Sequence, residues 1–381
     1  MRALTRSIAT LALLAAVWGS GGCARDSADK ATRRAAPQQT SEISPDEKVV
    51  FFPTYAHLDE DGRTWTVPIH GKIFEPETDS ITRNTTLAAL AKTLDVQPDS
   101  PEAETLRRRL TLFLIDNERD KEIFVRIGEQ KYSAGTSEPD GHFQNNLRLA
   151  DAEVKPDADG WISYRAATRK SEKRSFSGLV QPLSPTGISI ISDIDDTIKH
   201  SQVTDRKELL ANTFLRKFKP VPGMAKLYRD CAIKGVVFHY VSGSPWQLYQ
   251  PLWEFISDEG FPRGSFKLRH FRLKDPSTLG LAQWQEGYKL QAIEPIVKAF
   301  PQRRFILIGD SGEKDPEIYA QLARKHPEQV AAIFIHNVTA AKSDDARFKA
   351  VQKDLGNVQF VLFDEPDALR SAVEKIFARK K

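Results

Sequence analysis

Along residues 183–381 the hydrophobic pattern switches repeatedly between two periods. Apolar runs at 188–191, 236–241, 305–308, 331–335 and 358–363 are short, rich in β-branched and aromatic residues, and flanked by polar turns. Such runs predict buried strands. Between them, segments 224–234, 246–257, 291–300 and 318–325 repeat apolar residues at helical spacing, and a further strand is expected over 266–272. Alternation of this kind predicts a doubly wound parallel α/β sheet. In such sheets ligands meet the carboxyl ends of the strands. Three of the expected strands run into Asp193, Ser242 and Asp310.

Residues 47–182 follow a different pattern. Short β-prone segments at 49–56, 63–74, 110–116, 122–128, 142–150 and 160–166 are broken by turns. Asp-Gly steps at Asp61-Gly62, Asp140-Gly141 and Asp159-Gly160 are hairpin and turn signals. One helical insert is expected at 85–95. The whole reads as a β-rich, sandwich-like domain. Residues 24–46, rich in Ala, Ser, Gln, Lys and Asp and without periodicity, read as a disordered tether.

At the N-terminus, Arg2 and Arg6 precede an apolar run at 8–17 and then Gly-Ser-Gly-Gly-Cys. A charged start, a short apolar centre and small residues make an export signal over 1–23, too short to span a bilayer. Cys23 after Gly21-Gly22 suits a bacterial lipobox, in which the cysteine is lipidated, although Ser20 stands where leucine is usual. The expectation is an exported, periplasmic or cell-envelope lipoprotein, with cleavage and release as the other outcome of the same pattern.

Composition adds two exclusions. With 40% hydrophobic and 28% charged residues the chain has the balance of a soluble globular protein. A net charge of +4 against 55 basic and 51 acidic residues gives no broad basic field, so nucleic acid is not an expected partner. Besides Cys23 the chain has only Cys231, so no internal disulfide is expected in the exported form. Cys231 falls in a helical, apolar pattern and reads as a small buried hydrophobe.

The candidate chemistry begins at "SDIDDTI", residues 192–198, with three aspartates in four positions. An acidic turn alone would explain them. If the chain stays extended, however, Asp193 and Asp195 share one side and Ile194 takes the other. Two carboxylates on one face need a cation, or one of them must hold a proton. Oxygen ligands of this type suit Mg2+, and the glycine and distant glutamate of a calcium-binding loop are missing. Asp310 and Asp315 lie in "RFILIGDSGEKDPEIY", although Asp315-Pro316 also reads as a helix cap and first helical residue. Ser242 in "YVSGSPW" ends a strand, where a hydroxyl and backbone N–H groups can hold a phosphate oxygen. Ser244-Pro245 reads as another helix start, hence structural. Lys289 opens a helix and by itself reads as a solvated lysine.

In this order, "SDIDDTI", "YVSGSPW", a following lysine and "LIGDSGEKDPEIY" resemble the four motifs of haloacid dehalogenase-type phosphatases. More narrowly, with "VPGMAKLY" and "GFPRGSFKLR", residues 189–338 resemble the catalytic domain of the actin-patch-associated phosphatidate phosphatase family. One departure is His336, where that family would place an arginine. The resemblance implies that Asp193 is a nucleophile carrying an aspartyl phosphate and Asp195 a general acid and base. It implies a Mg2+ cofactor held by Asp193, Asp310 and the carbonyl of Asp195, with Asp315 supporting it. Ser242 and Lys289 would bind the transferring phosphoryl group, while Asp196 and Thr197 shape the loop. A small cap or none would leave the site open to a bulky or membrane-presented phosphate. The expected activity is therefore Mg2+-dependent hydrolysis of a phosphomonoester, a membrane lipid phosphate such as phosphatidate. Phosphoproteins or sugar phosphates are alternative substrates. A serine hydrolase built on the "GDSG" of 309–312, or a non-catalytic binding protein, are alternative classes.

Overall fold

A computed structural model of the chain describes residues 39–76, 96–270 and 287–378, with the isolated positions 88 and 91. The expected export signal at 1–23, the lipidation site Cys23 and tether residues 24–38 lie outside the described residues. So does the expected helical insert at 85–95, apart from positions 88 and 91, which are helical.

Among the described residues the first half of the chain forms a nine-stranded sheet. Its strands are β1 (Lys48–Phe51), β2 (Thr54–Leu58), β3 (Thr64–Glu75), β4 (Asp116–Asn117), β5 (Glu122–Ile127), β6 (Gln130–Thr136), β7 (His142–Ala150), β8 (Ile162–Ala166) and β9 (Ser177–Leu183). The order is β1-β3-β2-β9-β8-β5-β6, with β4 and β7 also pairing β3. Strand alternation decides which residues form the core: Ile123, Val125 and Ile127 of β5 are buried while their neighbours are not. Val49, Ile69, Leu149, Val125, Tyr164 and Val180 all join one apolar cluster. Strands from opposite ends of the sheet thus share a core, which gives the sandwich-like layering. The three Asp-Gly turns are present, with glycine φ of 64°, 77° and 81° at Gly62, Gly141 and Gly160, the left-handed region that glycine enters without penalty.

Two expectations need correction. The strand expected at 110–116 is replaced by the end of helix α1 (Pro101–Thr111). Ser100 caps that helix through the Ala103 N–H, Pro101 takes the first position, and Glu102 and Glu104 precede Arg108 and Arg109. These end signals complement the helix dipole and outweigh the β propensity of "LTLFLI". The tether expected over 24–46 also ends earlier. The Ser41 N–H donates to Ala167 O (2.7 Å), its hydroxyl donates to Phe124 O (3.0 Å), and Ser41 is buried.

The second half is the parallel α/β sheet. Strands β10 (Gly187–Ser192), β11 (Val237–Pro245), β12 (Gly264–Arg269), β13 (Arg303–Asp310), β14 (Val330–His336) and β15 (Gln359–Phe363) lie in the order β12-β11-β10-β13-β14-β15. All neighbours are parallel. Helices α2 (Arg206–Phe214), α3 (Met224–Ile233), α4 (Tyr249–Asp258), α5 (Tyr288–Ala299), α6 (Asp315–Lys325), α7 (Ala346–Gln352) and α8 (Arg370–Ala378) connect them. Successive strand residues face opposite sides: Ile190 and Ile308 enter a core with α2, α3, α4 and α8. Ile191 and Leu307 enter another with α5, α6 and α7. The chain leaves β10 for β11 on one side and returns to its other side at β13. That reversal is the switch point, where loops diverge and leave a crevice.

The two sheets are packed together. Phe52, Leu106 and Leu110 join the α/β core, and the Phe266 N–H donates to Pro53 O (3.1 Å). Buried Arg109 donates to Thr213 O (2.6 Å) and lies over the Phe218 ring at 3.8 Å.

Candidate active site

The switch point puts Asp193 and Asp310 at the ends of adjacent strands, and the Asp193 N–H donates to Ile308 O (2.8 Å). Asp193 is buried, with the Thr197 hydroxyl 3.3 Å from its Oδ2. Ile194 turns the other way into the core, as strand alternation requires.

Lys289, in the first turn of α5, enters this acidic pocket. Its ammonium lies 2.9 Å from Asp193 Oδ1 and 2.8 Å from Glu313 Oε2, and it also pairs with Asp315 Oδ1. Asp315 Oδ2 accepts the Asp310 N–H (3.3 Å). Asp310 Oδ1 accepts the N–H groups of Gly312 (2.7 Å) and Glu313 (3.0 Å). Gly309 has to be glycine, because a Cβ there would run into the Asp315 carboxylate.

Asp193, Asp310, Glu313 and Asp315 each offer an oxygen, all within 4.8 Å of one another. Burial pushes Asp193 up to about 8; Asp315 and Asp195 add to this and Lys289 opposes it. Burial and neighbouring carboxylates also hold Asp310 and Glu313 well above the usual range. Without a further cation Asp193, Asp310 and Glu313 therefore hold their protons more tightly than free carboxyls do. Asp310 Oδ2 and Glu313 Oε1 are buried without a hydrogen-bond partner. Unpaired buried oxygens are costly, and an all-oxygen donor set fits a hard divalent cation such as Mg2+.

Asp195 is in a different environment. Burial raises its proton affinity, but the Lys199 ammonium, at 2.7 Å, and hydroxyl donors outweigh it and hold the carboxyl at about 2. Those donors are Ser201 (2.7 Å), Ser242 (3.1 Å) and Ser244 (2.8 Å).

The structure thus brings Asp193, Lys289, Asp310 and Asp315 together and sets Asp195 and Ser242 beside each other. Cys23 lies outside the described residues. The Asp195 carboxylate is not among the four clustered ones, which leaves only its main-chain carbonyl for the expected metal contact.

Sequence reasoning missed Glu313, whose position three residues after Asp310 in the same loop was the available signal. It also misjudged Ser244: β11 runs on through Pro245, so Ser244 is no helix cap and its hydroxyl faces Asp195. The "TIK" after the aspartates hides Lys199, the partner of Asp195. Arg347, from α7, fastens the loop by donating to Ser311 O and Glu313 O (both 2.5 Å).

Asp196 acquires a clear role. At φ 51°, its carboxylate accepts the N–H groups of Ser201 (2.6 Å), Gln202 (2.8 Å) and Val203 (2.6 Å). His336 places Nδ1 2.5 Å from the Asp196 carbonyl, so the residue standing in for an arginine closes on the loop backbone. Ser311 is buried, pairs with the Thr339 hydroxyl (2.9 Å) and accepts the Val338 N–H (2.9 Å). The Ser311 N–H donates to the His336 carbonyl (2.9 Å), but among the described residues no imidazole hydrogen-bonds to the Ser311 hydroxyl, so the serine-hydrolase reading lacks its base.

Fold and site together define an α/β protein with a buried cluster of carboxylates and a lysine at the carboxyl ends of its parallel strands. Residues 188–337 match the family described as "Phosphatidate phosphatase APP1, catalytic domain". The chain is 38% identical over 183 residues to phosphatidate phosphatase APP1 of Saccharomyces cerevisiae, covering 46% of this chain and 30% of that protein. It is 32% identical over 169 residues to an uncharacterized protein of Schizosaccharomyces pombe, covering 43% of this chain and 27% of that one. The chain therefore spans under a third of the length of either relative. Among solved structures, a class C acid phosphatase from Bacillus anthracis with tungstate bound aligns at a TM-score of 0.25 and 14% identity. That alignment covers 51% of this chain and 79% of that one, a likeness too loose to carry any role across.

Proposed function

We propose that the protein is a Mg2+-dependent phosphomonoester hydrolase working through an aspartyl-phosphate intermediate, with a lipid phosphate such as phosphatidate as substrate. The observation that carries this is the pairing of Asp193, among Lys289, Asp310, Glu313 and Asp315, with Asp195, held separately by Lys199, Ser242 and Ser244. Two carboxylates in environments that push their proton affinities apart suit two different roles.

In this reading Asp193 attacks phosphorus, and the leaving alcohol takes a proton from Asp195. A water then gives its proton to Asp195 and attacks the phosphoryl group, releasing phosphate and restoring the Asp193 carboxylate. Asp195 rests ionised beside Lys199, which suits the base step. The charge of an arriving phosphate raises its proton affinity for the acid step. Lys289 offsets carboxylate charge and holds phosphoryl oxygens; Ser242 contributes a hydroxyl. Mg2+, held by Asp193 and Asp310 with Glu313 and Asp315 alongside, would supply neutralisation of the charge shared between carboxylate and phosphoryl group.

The lipid substrate is supported by the matched family, whose description names phosphatidate, and export with lipidation at Cys23 would bring the enzyme to a membrane surface. The test is phosphate release from phosphatidate in mixed micelles, sugar phosphates and a phosphopeptide, with Mg2+ and with chelator. Preferential release from phosphatidate that requires Mg2+ is expected. Release confined to sugar phosphates or the phosphopeptide would remove the lipid assignment. Activity that survives chelation would remove the metal.

A further inference from the structure

We propose that His70, His142 and His270 form a binding site for a divalent transition metal of the zinc type at the seam between the two sheets. β3 and β7 pair with Lys72 opposite His142 and His70 opposite Gln144. His70 and His142 are therefore diagonal neighbours on one face of the sheet, joined by a hydrogen bond between His70 Nε2 and His142 Nδ1 (3.1 Å), whose shared proton a metal would displace. His270 arrives from the other sheet, directly after β12. One ring nitrogen from each of the three lies within 4.8 Å of the others. Nitrogens bound to a tetrahedral zinc at about 2.0–2.1 Å lie about 3.3 Å apart. The buried pair is already at that spacing, and only the exposed rim residue, His270, has to close in.

The surroundings fit ligation. His70 and His142 are buried, and the His270 side chain is 51% exposed, which provides an entry path. Asp140 Oδ2 lies 3.4 Å from His270 Nδ1, and Asp140 Oδ1 accepts the main-chain N–H of His142 (3.2 Å). A carboxylate on one imidazole nitrogen fixes the tautomer that leaves the other nitrogen its lone pair, a common outer-sphere arrangement at histidine-bound metals. Burial, then His270 and Lys72, lower His142 to about 3. Burial and neighbouring cations also keep His70 well below its ordinary value. Both rings are thus neutral, the state that can bind metal. Lys72 and Lys267 oppose a further positive charge; burial already pulls Lys72 down to about 8, and Asp140 supplies the compensating anion.

The donor chemistry separates this site from the carboxylate cluster. Imidazoles favour zinc, copper, nickel and cobalt, whereas carboxylates favour magnesium. Trp246 stands edge-on to His70, with ring centroids 4.8 Å apart, two residues after Ser244. A metal here would fasten together both sheets and the strand end that carries Ser242 and Ser244.

The test is a Co2+ titration of the full chain, without a polyhistidine tag and in excess Mg2+, read by visible d–d absorption and followed by displacement with Zn2+. One equivalent of four-coordinate Co2+, displaced by Zn2+, is expected. His270→Ala, at an exposed position, and His142→Gln should each weaken binding by about 100-fold or more, since even outer-sphere partners change affinity by 10–100-fold. Asp310→Asn should leave the Co2+ spectrum intact. Absence of the absorption in the wild type, or wild-type affinity in a folded His270→Ala protein, would overturn the proposal.

Discussion

Replacing Lys289 with methionine removes the ammonium that faces Asp193, Glu313 and Asp315 while keeping much of the side-chain volume. Breaking a buried ion pair from one side costs about 3–5 kcal/mol, because the remaining charge is left uncompensated. For an α/β unit of this size each kcal/mol moves Tm by about 2–4 °C, so a fall of roughly 10 °C is expected near pH 8 in chelator. The loss should depend on pH with a definite sign. Asp193 rises from 3.8 to about 8 on folding, so the stability linked to its proton is complete below 3.8 and lost as pH rises through about 8. Lys289 is held well above 10.5 and stays charged across that window. Its removal lifts the main influence that lowers the pKa of Asp193. The variant should therefore lose most stability on the alkaline side and much less near pH 5, where Asp193 keeps its proton. Thermal unfolding of both proteins in chelator at several pH values is the assay. Equal Tm values near pH 8, or a deficit that grows toward acid, would refute this electrostatic reasoning.

Other consequences concern single contacts. Ser244→Ala removes a 2.8 Å donor to Asp195. Hydrogen bonds to charged groups contribute about 1.5–3 kcal/mol to stability, so a loss of that order is expected by urea denaturation, and unchanged stability would show that this contact contributes nothing. Asp196→Ala leaves three backbone N–H groups without their carboxylate and puts alanine at φ 51°. A loss of about 3 kcal/mol or more is expected by urea denaturation, with Asp196→Asn intermediate. Burial pushes the Cys231 thiol up to about 11, so Ellman's reagent should react with it in denaturant and hardly at all in the native protein.

The parallel sheet was legible because each strand is a short apolar run whose successive residues enter opposite cores, as Ile190 and Ile191 do. Its order then brought Asp193 and Asp310 together, which is why those aspartates could be picked out from their strand ends. α1 was misread because its apolar run resembles a strand, while Ser100 and Pro101, which decide the matter, lie ten residues upstream of the part taken for strand. Lys199, Glu313 and Ser244 were passed over for a different reason. Their meaning comes from what they face, and linear spacing does not show that Ser244 turns toward Asp195. The three histidines belong to the same class: β3–β7 register joins two of them, and sheet packing brings the third.

The central claim is that Asp193 carries the phosphoryl group. Acid quenching during turnover of radiophosphorus-labelled phosphatidate, followed by peptide mapping and borohydride reduction, addresses it directly. The account predicts acid-stable label on the peptide containing Asp193, conversion of that residue to homoserine, and neither label nor turnover in Asp193→Asn. Turnover without protein-bound label, or label on Ser242 or Ser311, would contradict it.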